Sequence, residues 1–306
     1  MKNPNTFNIE TSPQPKSHDT TLLIGANALR TLTNTSEPSL DTRNPNLHNP
    51  NNNYLTIEDM EVAAAPYGIP PFVSSPSDEC LPAAIGAALG ALRPHETYDR
   101  PALRALSGYV KDYGAAAGVA IPRLYDLGLE IIWASEDADD LPDTEEGIKM
   151  RLRQNFPDEA AYQKQLAYLH DQRLKDSIEA NKRLMSGLLD DGVTRYTHAL
   201  DSTGIKELID DAYLVLTSLD GAQIYPDASD QPPDPHSILI FGYGTVPNPE
   251  TGQAVEAFLC HNADGMYGNV PCQAITFDRL EHARVANSPL RMTVALRDKR
   301  AVLRGP

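Results

Sequence analysis

The chain has 306 residues, enough for one large domain or two modest ones with a real core. Its 41% hydrophobic and 22% charged residues are ordinary for a soluble globular protein. Acidic residues outnumber basic ones by 42 to 26, and the net charge of −16 argues against a nucleic-acid backbone or an anionic membrane surface as the main partner.

Three cysteines, at positions 80, 260 and 272, form no disulfide framework, and neither CxxC nor a paired Cys/His spacing offers a structural zinc site. No apolar run approaches the length of a transmembrane helix. The N-terminus "MKNPNTFNIETSPQPKSHD" has no apolar segment after its lysine, as a Sec-type signal would need. The expectation is a cytoplasmic protein, or one exported by a route that leaves no such signal. Neither a G-x-G-x-x-G nor a Walker pattern follows a strand, and G-x-S-x-G is absent. No cofactor and no metal are therefore expected.

In chain order, residues 1–53 are rich in Asn, Pro, Ser and Thr and read as a flexible arm, with 20–32 able to dock as one short element. A globular domain is expected from 54 to 306. "CLPAAIGAALGALR" has helical composition, with Cys80 at its start and Pro82 in its first turn. Residues 101–113 read as an amphipathic helix with Asp99 or Arg100 near its cap, and "IPRLYDLG" as a third helix closed by Gly128. "LEIIWAS" reads as a strand.

Residues 135–200 are strongly charged, and "DEAAYQKQLAYLHDQRLKDSIEANKRLMSGLL" keeps helical spacing over roughly eight turns, the pattern of a helical insertion. "TGIKELIDD" is a short helix and "AYLVLTSL" a strand. After a Pro/Asp-rich loop come four strand-like runs, "HSILIFGYG", "AVEAFLCHNADG", "CQAITFDRL" and "RMTVALRD". Helices first and strands last predict an α+β fold, with N-terminal helices packed on a mostly antiparallel C-terminal sheet.

A thiol at a helix N-terminus has its thiolate stabilised by free backbone N–H groups, although Asp78 and Glu79 oppose this unless they point away. A cysteine nucleophile needs a histidine base, and the histidine a third group to orient it. His236 opens an apolar strand, and the next strand ends in Asn262 and Asp264. If the two strands are antiparallel neighbours, all three fall at one sheet end. Asn and Asp before Gly also favour tight turns, and Cys80 alone would suit a core thiol equally well.

In "ECLPAAIGAAL", "HSILIFGY" and "LCHNADG" the chain resembles the papain-like cysteine peptidase superfamily, in particular its bacteriocin leader peptidase (double-glycine peptidase) branch. The likeness covers roughly residues 70–295, interrupted by the insertion. It implies a papain-like fold and a cysteine peptidase or amidase acting on a peptide or protein substrate through an acyl-thioester. Cys80 would be the nucleophile, His236 the base, and Asn262, or else Asp264, the orienting residue. Relatives carry a glutamine a few residues before the cysteine as an oxyanion donor. This chain has Ser74 there, so Ser74, Ser75 or Ser77 is the candidate donor beside the Cys80 N–H. His261 is expected on the opposite strand face from Asn262, and Cys260 and Cys272 as buried spectators. The same triad would serve an acyltransferase or transglutaminase-like enzyme. A papain-like domain kept only as a binding module would have no reactive thiol.

Overall fold

The computed structural model describes residues 60–302 except 76–77, 112–113, 137–140, 170, 188–191, 225–234, 249–250, 265–267 and 288–290. The arm expected over 1–53 lies outside the described residues. The strands are β1 (Glu61–Ala64), β2 (Leu129–Ala134), β3 (Val193–Tyr196) and β4 (Leu214–Asp220), followed by β5 (Pro235–Pro247), β6 (Ala254–Asp264), β7 (Gly268–Thr276) and β8 (Thr293–Asp298). They form one eight-stranded sheet in the order β3-β2-β8-β4-β5-β6-β7, with β1 paired to the distal half of β5. Every pair is antiparallel except β2–β3. The fold is α+β, built on an open, mostly antiparallel sheet.

The helices of the first half are α1 (Cys80–Leu92), α2 (Arg100–Ser107), α3 (Ala117–Asp126), α4 (Glu145–Asn155), α5 (Glu159–Tyr168) and α6 (Asp171–Met185). Those of the second are α7 (Ser202–Asp210), α8 (Gly221–Ile224), α9 (Phe277–Asn287) and α10 (Lys299–Val302). Side chains alternate across a strand, and here both alternants are apolar. Leu214, Leu216, Leu239, Phe241, Leu259 and Leu296 join the core under α1, α2 and α3. Val215, Ile238, Ile240, Phe258, Cys260 and Ala295 join a second core under α7 and α9. The sheet thus carries helices on both faces. Among the described residues no helix is long and apolar enough to cross a membrane.

Several elements depart from the sequence expectation for local reasons. The helix expected over 101–113 stops at Ser107, because Gly108 takes a left-handed conformation (φ 64°). Its N–H donates to Ala105 O and that of Tyr109 to Arg104 O, a pair of bonds that closes a helix end. The continuous helical run expected over 158–189 is two helices, α5 and α6, and α4 precedes it within the charged segment. Asp158 caps α5, whose C-cap is Leu169, and α6 starts afresh at Asp171. α6 buries Leu174, Ala180 and Leu184, and Arg183 holds Asp126 of α3 with two bonds of 2.9 and 2.7 Å. β3, inside the stretch expected to be helical, adds a parallel strand to the sheet edge. "FDRL" begins α9 instead of continuing a strand.

Two buried arginines tie the layers together. Arg93, just past α1, pairs with Asp298 at the end of β8 (3.0 Å) and donates to Leu127 O (2.7 Å). Arg284 of α9 is fully buried, and donates to Thr217 Oγ1 (3.1 Å), Thr293 Oγ1 (2.9 Å), Leu200 O (2.8 Å) and Arg291 O (3.0 Å). The "GYG" run has a structural role. A Cβ on Gly242 would meet Ala64 O at 2.6 Å, and one on Gly244 would run into Glu61 O, so the glycines let β1 pass over β5.

Arg284→Ala would take a donor from two carbonyls and two threonine hydroxyls, and would take from Glu281 one of its arginine partners. It is expected to cost on the order of 3 kcal/mol, seen as a lower urea midpoint with an unchanged m value.

Candidate active site

Cys80 is the first residue of α1, and its surroundings follow from what its neighbours do not do. Glu79 occupies the N-cap position but makes no capping hydrogen bond to the helix. Its buried carboxylate is turned instead to two arginines of α2, Arg100 at 2.7 Å and Arg104. Burial pushes the Glu79 carboxyl up, but hydrogen bonds and charge from Arg104 and Arg100 outweigh it and hold the group below its ordinary value. Asp78 accepts a 2.6 Å hydrogen bond from the Tyr109 hydroxyl. Both carboxylates beside the thiol are therefore engaged elsewhere. Pro82 has no N–H and that of Ala83 donates to Glu79 O (3.0 Å), which leaves the Leu81 N–H to face the sulfur.

The sheet supplies the other groups. His236, the second residue of β5, is buried and lies beside β4 in register with Leu219. Its Nε2 is 2.7 Å from Oδ1 of Asn262, a fully buried residue of β6. Asn262 Nδ2 in turn donates to Oε1 of Gln273 of β7, also at 2.7 Å. With Nε2 taken by Asn262, the ring nitrogen left for the thiol is Nδ1.

Cys80 is only partly exposed, and burial pushes its thiol up. The hydrogen bond and charge of His236 oppose this, as do the backbone N–H groups of Ser237 and Leu81, and together they bring the thiol below its ordinary value. The structure thus brings Cys80, His236 and Asn262 into one hydrogen-bonded chain. It can take a proton from the thiol, hold the thiolate against the N–H groups of Leu81 and Ser237 and keep the imidazole in one orientation.

The remaining candidates fall differently. Asp264 ends β6 opposite Gly268, and its side chain lies outside the described residues, as does Ser77. Ser74 is exposed, on the wall of a groove of about 500 Å³ that runs between residues 71–74, α1 and residues 96–103. Glu79, Pro82, Ala83, Gly86 and Gly90 of α1 and its cap line the same groove, whereas Cys80, His236 and Asn262 do not. His261 is buried against Phe72, with ring centroids 5.3 Å apart, and its Nε2 accepts the N–H of Val73 at 3.2 Å. Burial holds its pKa down to about 4, so it anchors the segment leading to Cys80 as a neutral ring. Burial drives the Cys260 thiol well above its ordinary value and Cys272 up to about 12. Among the described residues no group of three or more His, Cys, Asp or Glu could hold a metal ion.

Sequence reasoning did not single out Gln273 or Arg104, and placed Arg100 only near a helix cap. The arginines carried a weak signal, since two cations one turn apart on α2 face a buried acid. Gln273 carried none, because nothing local says which strand lies beside Asn262. Comparison with protein-family models, with curated proteins and with solved structures gives no match for the chain.

Iodoacetamide labelling against pH tests the geometry. One thiol should react with an apparent pKa below the roughly 8.5 of a free cysteine. Because the thiol is lowered, its thiolate fraction survives to lower pH than that of the other two. The reaction should vanish in Cys80→Ser and shift to higher pH in His236→Ala. Equal profiles for wild type and His236→Ala would refute the pair.

Proposed function

We propose that the protein is a thiol-dependent hydrolase, a cysteine peptidase or amidase with a papain-like arrangement of its catalytic groups. The observation that carries this reading is the chain from Cys80 through His236 to Asn262, set at a helix N-terminus without a side-chain cap. The order nucleophile, base, orienter along the sequence supports it. So does the way they are delivered, by one helix and two adjacent antiparallel strands.

In the proposed reaction the Cys80 thiolate attacks the carbonyl carbon of a peptide or amide. The proton it gave to His236 Nδ1 then passes to the departing amine as the C–N bond breaks, leaving an acyl-thioester on Cys80. Water attacks the thioester while His236 takes its proton, the acid leaves, and the thiol is regenerated. The Cys80 N–H is assigned to the oxyanion. The proposed substrate is a peptide or protein.

An activated ester, p-nitrophenyl acetate, tests the covalent step without a known substrate. The expected result is a burst of one nitrophenolate per chain, with one acetyl group on Cys80 by mass spectrometry. The burst should be absent in Cys80→Ser and slowed by about 10²–10⁴ in His236→Ala. Deacylation with and without a labelled primary amine then separates hydrolysis from acyl transfer. No acetyl-Cys80, or a burst indifferent to His236, would defeat the proposal.

A further inference from the structure

The imidazole of His236 can serve the thiol only while its Nε2 is hydrogen-bonded as a donor, since Nδ1 must then be the nitrogen that gains and loses the proton. Which way Nε2 is used depends on the amide of Asn262, because an amide presents an acceptor on one side and a donor on the other. Turned over, Asn262 would aim its N–H₂ at Nε2. That would favour the tautomer protonated at Nδ1 and repel the imidazolium needed for the ion pair. Something must therefore hold the amide in one sense.

We infer that Gln273 is that element, a positioning residue that acts through Asn262 on His236 and Cys80. Its Oε1 accepts from Asn262 Nδ2 at 2.7 Å, while Oδ1 of the same amide stands 2.7 Å from His236 Nε2. All three side chains are buried, so water does not compete for either bond. The backbone is shaped for the contact. β6 and β7 are in register at Cys260–Gln273, but Asn262 is opposite Val270, so β7 carries one extra residue in the 271–272 stretch. That stretch contains Pro271, which has no N–H to offer a ladder.

The inference rests on the thiolate–imidazole reading above, and it is tested on the intact chain by Cys80 labelling with iodoacetamide against pH. Gln273→Met keeps the volume and removes the acceptor. Labelling near pH 6 should fall roughly fivefold, the factor one neutral hydrogen bond typically carries, and the apparent thiol pKa should rise. Gln273→Glu keeps an acceptor oxygen in either protonation state, and should label within about twofold of wild type or faster. Because Gln273 acts through Asn262, Gln273→Met should have no further effect in an Asn262→Ala background.

A merely structural glutamine would not give this pattern. It would lower the urea midpoint in Gln273→Met and leave the pKa of the folded protein where it was. A depressed wild-type pKa that Gln273→Met does not move, or additive effects of the two substitutions, would overturn the inference and leave the catalytic pair standing. An ordinary thiol pKa in wild type, unchanged in His236→Ala, would remove the pair and this inference with it.

Discussion

The helix α1 has to be buried on nearly every side, and most of the architecture answers that constraint. Ten of its 13 residues are buried, from Leu81 to Leu92, and its composition offers no polar face to turn to water. The sheet covers one side, through Leu239, Phe241 and Leu259, while Leu103 of α2 packs against Gly86 and Pro71 against Gly90. Arg93 then fixes the far end of α1 to β8. A rod held this way has little freedom to slide, so its first residue, Cys80, is set against the start of β5.

That rigidity makes the polar part of the site workable. His236, Asn262 and Gln273 are buried side chains that would be costly without partners, and each meets a need of the next. The same holds for Glu79, a carboxylate buried beside the thiol and matched by two arginines from α2. Had Glu79 capped α1 instead, its charge would face the sulfur and favour the neutral thiol. The electrostatics of Cys80 thus depend on a helix that touches neither the thiol nor the histidine.

How much of this was legible can be argued from particular stretches. "CLPAAIGAALGAL" could hardly be other than a buried helix, and "HSILIFGYG" and "AVEAFLC" read as strands from β-branched and aromatic content. Both strands are apolar at consecutive positions, the signature of a sheet covered on both faces. Gly108 was a stop signal inside a helical pattern. The break after Leu169 was hidden by continuous helical spacing, because periodicity reports a face and not an end. β3 was hidden for another reason. "VTRY" is too short to stand out and is a strand only because β2 has a free edge beside it.

The sequence by itself determined the elements that carry Cys80, His236 and Asn262, and their order along the chain, because helix and strand identity rests on local composition and period. Only the tertiary structure decided that the three meet, that Glu79 and Asp78 turn away from the thiol, and that Gln273 stands behind Asn262. Those facts depend on strand order, register and a one-residue slip between β6 and β7, which are set by packing among segments far apart in the chain.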